Sequence, residues 1–186
     1  MSETKKKIAD TFIKLLESSP YSKISIKDIC TATPTSRNTF YYYFEGKEAV
    51  VEWIASQHYL KYCLPYFKIK QDNIAAKSFF QYILDYRSFY TAIFKVDQGS
   101  LLQKCLRAAY DLGLEKQNVL EYAKPVVNRN EKVDYHLCLC YCNAGTAAVV
   151  SSWIEGGMRI PIEKMARDLS MMMTNSLEEI RDHYLY

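Results

Sequence analysis

A chain of 186 residues can bury a substantial core without help from disulfides or metals, and it has room for one or two domains. Its 49% apolar content, with six Gly and five Pro, excludes a disordered chain. No run of about 18 apolar residues exists to span a bilayer, and no signal-peptide core follows Lys5, Lys6 and Lys7, so a cytoplasmic protein is expected. The net charge of +3 lies wholly within residues 1–47, where eight basic side chains face five acidic ones, so this end is the one expected to meet a polyanion.

Helical periodicity runs through the chain. Ile8, Phe12, Leu15 and Leu16 fall on one face of a first helix over about residues 3–18, which Ser19, Pro20 and Tyr21 end. Ser25 with Asp28 three residues on is a capping-box pattern opening a two-turn helix that buries Ile26, Ile29 and Cys30. Thr33 and Pro34 stop it, because a residue before proline is pushed away from helical dihedrals. A third short helix runs from Thr35 or Ser36 to about Tyr42, with Phe40 and Phe44 inward and Arg37, Asn38, Thr39 and Tyr41 pointing elsewhere. Gly46 is expected to allow a tight turn into a fourth helix that carries Val50, Trp53, Ile54 and Leu60 towards Pro65 and links the small basic module to the body.

Downstream, the pattern predicts a helix around Phe79, Phe80, Ile83 and Leu84, a short one over 88–94, and one over 101–112, with Asp97, Gln98 and Gly99 between the last two. Residues 125–132 read as a loop. Two long helices follow, over 133–155 and 161–182, split by Gly156 and Gly157. The expected fold is all-α, about nine helices, with a three-helix unit over 1–47 and a larger helical body over 48–186. No strand pattern or repeat competes with it.

Two short helices joined by a tight turn at the basic end suggest a helix-turn-helix, although spacing and charge alone also fit a plain three-helix bundle. The stretch Ile24-Ser25-Ile26-Lys27-Asp28-Ile29-Cys30, then Ser36-Arg37-Asn38-Thr39-Phe40-Tyr41-Tyr42-Tyr43-Phe44, then Gly46-Lys47-Glu48, resembles the N-terminal signature of the TetR family. The resemblance spans about residues 8–54. It implies a homodimeric transcription regulator whose third helix enters the major groove of double-stranded DNA. It also implies repression as the first sign of regulation, with activation as the alternative.

Carried over position by position, the resemblance puts Arg37, Asn38 and Thr39, behind Ser36, where base edges are read. Arg37 suits the O6 and N7 of guanine, and Asn38 suits adenine or a phosphate. Tyr41 and Tyr43 match positions that reach the DNA backbone; Tyr42 takes no role. Ser25, Lys27 and Lys47 are expected on phosphates, where they fix register without reading sequence. Relatives usually carry glycine where this chain has Pro34. Because proline holds φ near −65°, the turn is expected to be built differently here.

In the eighth helix Ala144, Ala148 and Ser152 form a strip of small side chains. In the ninth, Met165, Leu169, Met172, Met173, Ser176, Leu177 and Ile180 form a broad apolar face. The resemblance implies dimerisation through this pair of helices. Trp153-Ile154-Glu155-Gly156-Gly157, Pro161-Ile162-Glu163 and Met165-Ala166 are similar to the C-terminal region of the dihydroxyacetone-kinase operon regulators within that family. Members commonly bind a small-molecule effector in the body, and Phe79, Tyr82, Tyr86, Phe89, Tyr90, Phe94 and Tyr110 are candidate walls for it; at these spacings aromatics also serve as plain core.

The six cysteines lack paired spacing and are expected as buried thiols. His136, Cys138, Cys140 and Cys142 pair at i, i+4 on a helix without the usual Cys-x-x-Cys of a metal site, so neither metal nor cofactor is expected. Gly-x-Ser-x-Gly, Walker and His-Glu-x-x-His motifs are absent, which argues against an enzyme. A helical adaptor without DNA binding is the other rival.

Overall fold

The computed structural model describes residues 2–68, 72–117 and 135–183, and the loop expected at 125–132 lies outside them. Among the described residues there are ten α-helices and no strand: α1 (Glu3–Ser18), α2 (Ile26–Ala32), α3 (Arg37–Tyr43), α4 (Lys47–Tyr62), α5 (Leu64–Lys68), α6 (Asp72–Asp85), α7 (Arg87–Phe94), α8 (Ser100–Gln117), α9 (Tyr135–Glu155) and α10 (Ile162–His183). The expected fourth helix is interrupted. It ends at Tyr62 with Cys63 as cap, and Pro65 falls in the first turn of the short α5, where a missing N–H costs nothing.

α1 buries Ile8, Ala9, Phe12 and Leu16 along one stripe. A single turn of 3-10 helix at Tyr21–Lys23 leads to Ser25, which caps α2 as the sequence indicates. The Asp28 amide donates to Ser25 Oγ at 3.2 Å and the Ser25 amide donates to Asp28 Oδ2 at 2.8 Å. Ser36 caps α3 the same way, accepting from the Thr39 amide at 3.0 Å.

The turn between α2 and α3 departs from expectation. Thr33 is the cap, Pro34 follows at φ 28°, and the Thr35 amide donates to the Cys30 carbonyl at 3.0 Å. This is the long-range bond of a Schellman motif, with proline in the left-handed position that glycine usually takes. The end of α9 carries the same motif in relaxed form: Gly157 has φ 74°, the Met158 amide donates to the Trp153 carbonyl at 2.8 Å and the Gly157 amide to the Ile154 carbonyl at 3.0 Å. Proline has no N–H, so α2 lacks that second bond. The turn is therefore not rebuilt around Pro34; the proline is forced into it. Gly46 is also a correction, because its φ of −178° is extended and a Cβ there would meet nothing within 4 Å.

α4 packs most extensively on α8, α10 on α6, α9 on α8, and α1 on both α2 and α7. The buried side chains, from Ile8 to Leu169, form one contiguous cluster. The three-helix head and the body thus share a core through α4, and displacements of α4 or α7 are felt by the head.

Candidate nucleic-acid interface

α3 is seven residues long, and its faces are sharply divided. Phe40 is fully buried and Phe44 nearly so. Arg37, Asn38, Tyr41 and Tyr42 are exposed, the two tyrosines to 54% and 81%. On a helix these four positions cover one continuous face, so a guanidinium fork, an amide and two phenols project together from a surface backed by solid core. Tyr42, which has no role in the family resemblance, is the most exposed large apolar side chain described and is braced edge-on by Tyr43 at 4.9 Å. No periodicity argument isolates it, because its three neighbours are aromatic too.

The remaining head residues are more occupied. Ser36 and Thr39 share a hydrogen bond between hydroxyls at 2.8 Å, and Ser25 is engaged with Asp28. The Tyr43 hydroxyl accepts from Ser2 Oγ at 2.9 Å, which fastens the start of α1 to the end of α3. Lys27 is exposed on α2. Lys47 is not a plain surface cation: its ammonium donates to the carbonyls of Tyr21 at 2.9 Å and Ile24 at 2.7 Å and lies 4.3 Å from the centre of the Tyr21 ring. Burial lowers its pKa. It clips α4 to the entry of α2, leaving one N–H for a phosphate. Lys5, which the sequence analysis treated only as charge, sits 5.0 Å and 5.5 Å from the Phe44 and Trp53 rings, at the edge of a cleft of about 350 Å³ between α1, α4 and α8.

In the body, five of the seven candidate pocket aromatics converge. Tyr82, Tyr86, Phe89 and Tyr90 surround His58 of α4, together with Tyr62, and Phe79 packs edge-on against Tyr82 behind them. Phe94 packs instead near Gly99, and Tyr110 near Tyr59. His58 escaped the sequence analysis because a lone histidine on an amphipathic helix carries no signal until its neighbours assemble. Its Nδ1 lies 3.0 Å from the Tyr90 hydroxyl, and burial, with the nearby Lys61 charge second, holds its pKa down at about 4.

The candidate dimer residues divide. Ala144, Ala148 and Ser152 are exposed on α9, in one stripe with Leu137 at 64% and Tyr141 at 69% exposure. Met172 is exposed on α10 beside Met171. Met165 and Leu169 are buried instead, because α10 lays that stripe on α6 within the same chain. Met173, Ser176, Leu177, Ile180, His136 and Cys138 fall outside the described side chains. Cys30, Cys63 and Cys105 are buried free thiols, and burial pushes the Cys105 thiol up to about 12. Among the described residues no group of three His, Cys, Asp or Glu could hold a metal, and no helix is long and apolar enough to cross a membrane.

Residues 8–54 match the family described as bacterial regulatory proteins, tetR family, and residues 74–175 match one described as a transcriptional regulator C-terminal region. The chain is 26% identical over 136 residues to the HTH-type dhaKLM operon transcriptional activator DhaS of Lactococcus lactis subsp. lactis (strain IL1403), covering 72% of this chain and 66% of that relative, just under two thirds of its length. Among solved structures, the dihydroxyacetone kinase operon activator DhaS superposes with a TM-score of 0.66 at 20% identity, covering 95% of this chain and 97% of the other. The fatty acid degradation regulator FadR from Bacillus halodurans gives 0.63 at 14%, covering 93% and 95%. A tetR-family transcriptional regulator from Streptomyces coelicolor gives 0.61 at 16%, covering 97% and 85%. At these identities the structures establish the fold alone.

Proposed function

Because the chain belongs to the TetR family of bacterial transcriptional regulators, which bind DNA, we propose that it acts in the cytoplasm as a homodimer on a palindromic operator, under the control of a small-molecule effector. The family is one of transcriptional regulators, which are generally not enzymes. The observation that carries the reading is the exposed face of α3, where Arg37, Asn38 and Tyr41 project side by side from a core-anchored helix. Arg37 and Asn38 read base edges, Ser36 and Thr39 flank them, and Tyr41, Tyr43, Ser25 and Lys27 lie against the backbone. Lys47 acts there through its one remaining N–H and by holding the head together.

We divide the chain at 47/48 into a DNA-binding head and a regulatory body, with α4 as the lever between them. The stripe Leu137, Tyr141, Ala144, Ala148 and Ser152 supports the homodimer, since so much apolar surface in register along one helix is what a second copy would cover. The two α3 helices then lie about one DNA turn, ~34 Å, apart. Occlusion of a promoter, hence repression, is the first reading of its sign. Activation is the second, favoured by the Lactococcus relative, which is a transcriptional activator. Selection of genomic fragments by the purified protein, followed by footprinting, tests the whole. A twofold-symmetric footprint with half-sites one turn apart is expected, and binding with no sequence preference overturns it. A reporter placed behind the selected site gives the sign.

A further inference from the structure

The aromatic cluster of the body is layered. At its floor lie His58 on α4, Tyr82 on α6 and Tyr90 on α7, all buried. The Tyr90 hydroxyl is engaged with His58, and the Tyr82 hydroxyl, on a side chain only 1% exposed, has only that same Tyr90 hydroxyl near it and makes no well-formed hydrogen bond. A fully buried phenol so poorly partnered is disfavoured enough that the site calls for a better one. Above the floor lie two half-buried rings. Tyr86 stacks on the His58 imidazole at 3.9 Å and 28°, and Tyr62 stacks on Tyr82 at 5.8 Å and 24°, with the Tyr62 hydroxyl accepting from Lys61 at 2.9 Å. Tyr86 is the corner residue between α6 and α7, so its ring can turn away without breaking the interior of either helix, giving up its stack on His58 and its hydroxyl's hydrogen bond with Tyr62.

We propose that the Tyr86 ring is a displaceable plug, and that the slot it leaves on His58 takes a planar, uncharged molecule bearing a hydrogen-bonding group for the Tyr82 hydroxyl. This rests on the effector reading above and gives that effector a chemical class. Planarity follows from the stack the ligand replaces. Neutrality follows from the walls: burial keeps His58 uncharged at neutral pH and pushes the Tyr82 and Tyr90 phenols well above their ordinary value, so no counter-charge awaits an ion inside. The charges near the cluster, Lys61, Asp85 and Asp10, lie at its outer edge beside Tyr62 and Tyr86. Asp10 belongs to α1 of the head, which packs on α7, so displacing Tyr86 acts at the seam between body and head.

Calorimetric titration of the full chain with 4-hydroxybenzamide and with its anionic counterpart 4-hydroxybenzoate tests this. Tyr86→Ala should bind the amide at least about tenfold more tightly than wild type, the gain of roughly one hydrogen bond with its stack, and adding Tyr82→Phe should remove that gain. The benzoate should not bind more tightly than the amide. Tyr82→Phe alone should keep or raise the thermal midpoint, since its hydroxyl has no well-formed bond to lose; this arm stands even if Tyr86→Ala does not fold. An unchanged amide affinity in Tyr86→Ala, a gain indifferent to Tyr82, preferred binding of the benzoate, or a fall in the midpoint of Tyr82→Phe each overturns the slot. DNA affinity is measured with and without the amide. Binding that leaves it unchanged overturns the link to the head and not the slot, while failure of the slot leaves DNA binding as found without the amide.

Discussion

Pro34→Gly should stabilise this protein, against the usual rule that removing a proline from a turn loosens the fold. At φ 28° the backbone stands more than 90° from the −65° to which the pyrrolidine ring ties it, and a left-handed position costs even an open-chain residue about 1–3 kcal/mol, which is a lower bound for proline. Glycine adopts that φ freely and restores the N–H that can donate to the Thr31 carbonyl, the bond Gly157 makes at the end of α9, for about 0.5–1.5 kcal/mol. Opposing both is the greater freedom of the unfolded glycine chain, about 0.4–1 kcal/mol. The balance is at least about 2 kcal/mol of stabilisation, or a rise of roughly 4–8 °C or more in Tm for a chain of this length. Urea and thermal unfolding followed by circular dichroism measure it. Pro34→Ala, which regains the N–H but resists positive φ, should fall between wild type and glycine. A Pro34→Gly protein less stable than wild type would refute the reasoning, since it would mean that the turn holds proline near its relaxed φ.

On DNA, Arg37→Ala should cost about 1–3 kcal/mol at one base pair per half-site, seen as relaxed specificity in binding to single-base operator variants. Lys47→Ala should weaken all sequences alike and also lower stability by about 1–3 kcal/mol, because the Tyr21 and Ile24 carbonyls lose their donor; an unchanged unfolding midpoint would dismiss the clip. Ala148→Glu would place a carboxylate in the proposed dimer seam and should weaken dimerisation by about 3 kcal/mol or more, read by sedimentation equilibrium, with operator binding lost in parallel. For His58 the folded pKa, about 4, lies below the ordinary 6.5, so the unfolded chain binds the extra proton. The stability its burial allows is complete above pH 6.5 and declines as pH falls towards 4, by about 2 kcal/mol between pH 7 and 5; the pH dependence of urea unfolding should flatten accordingly in His58→Gln.

Local chemistry was legible in the chain itself. The Ser25–Asp28 box and the end of α9 at Gly156 and Gly157 are decided by residues within one turn of each other, so spacing suffices to find them. The division of α3 into Phe40 and Phe44 inside and Arg37, Asn38 and Tyr41 outside follows from a 3.6-residue period, and so it too was written in the sequence. Whatever depends on contacts distant in the chain was not. Pro34 looked like a reason for a different turn, yet Ile29 and Phe40, buried on either side of it, hold the two helices where the left-handed geometry is required. Lys47 reads in the sequence as a phosphate contact only, and the fold adds a second role by bringing two carbonyls from residues more than 20 positions earlier onto its ammonium. Periodicity grouped Met165 and Leu169 with Met172, but only the docking of α10 on α6 decided that the first two belong to the core and the third to the surface. His58 gained its meaning only when α4, α6 and α7 closed around it, because a side chain's polarity is fixed by its covalent structure and its environment by the whole chain.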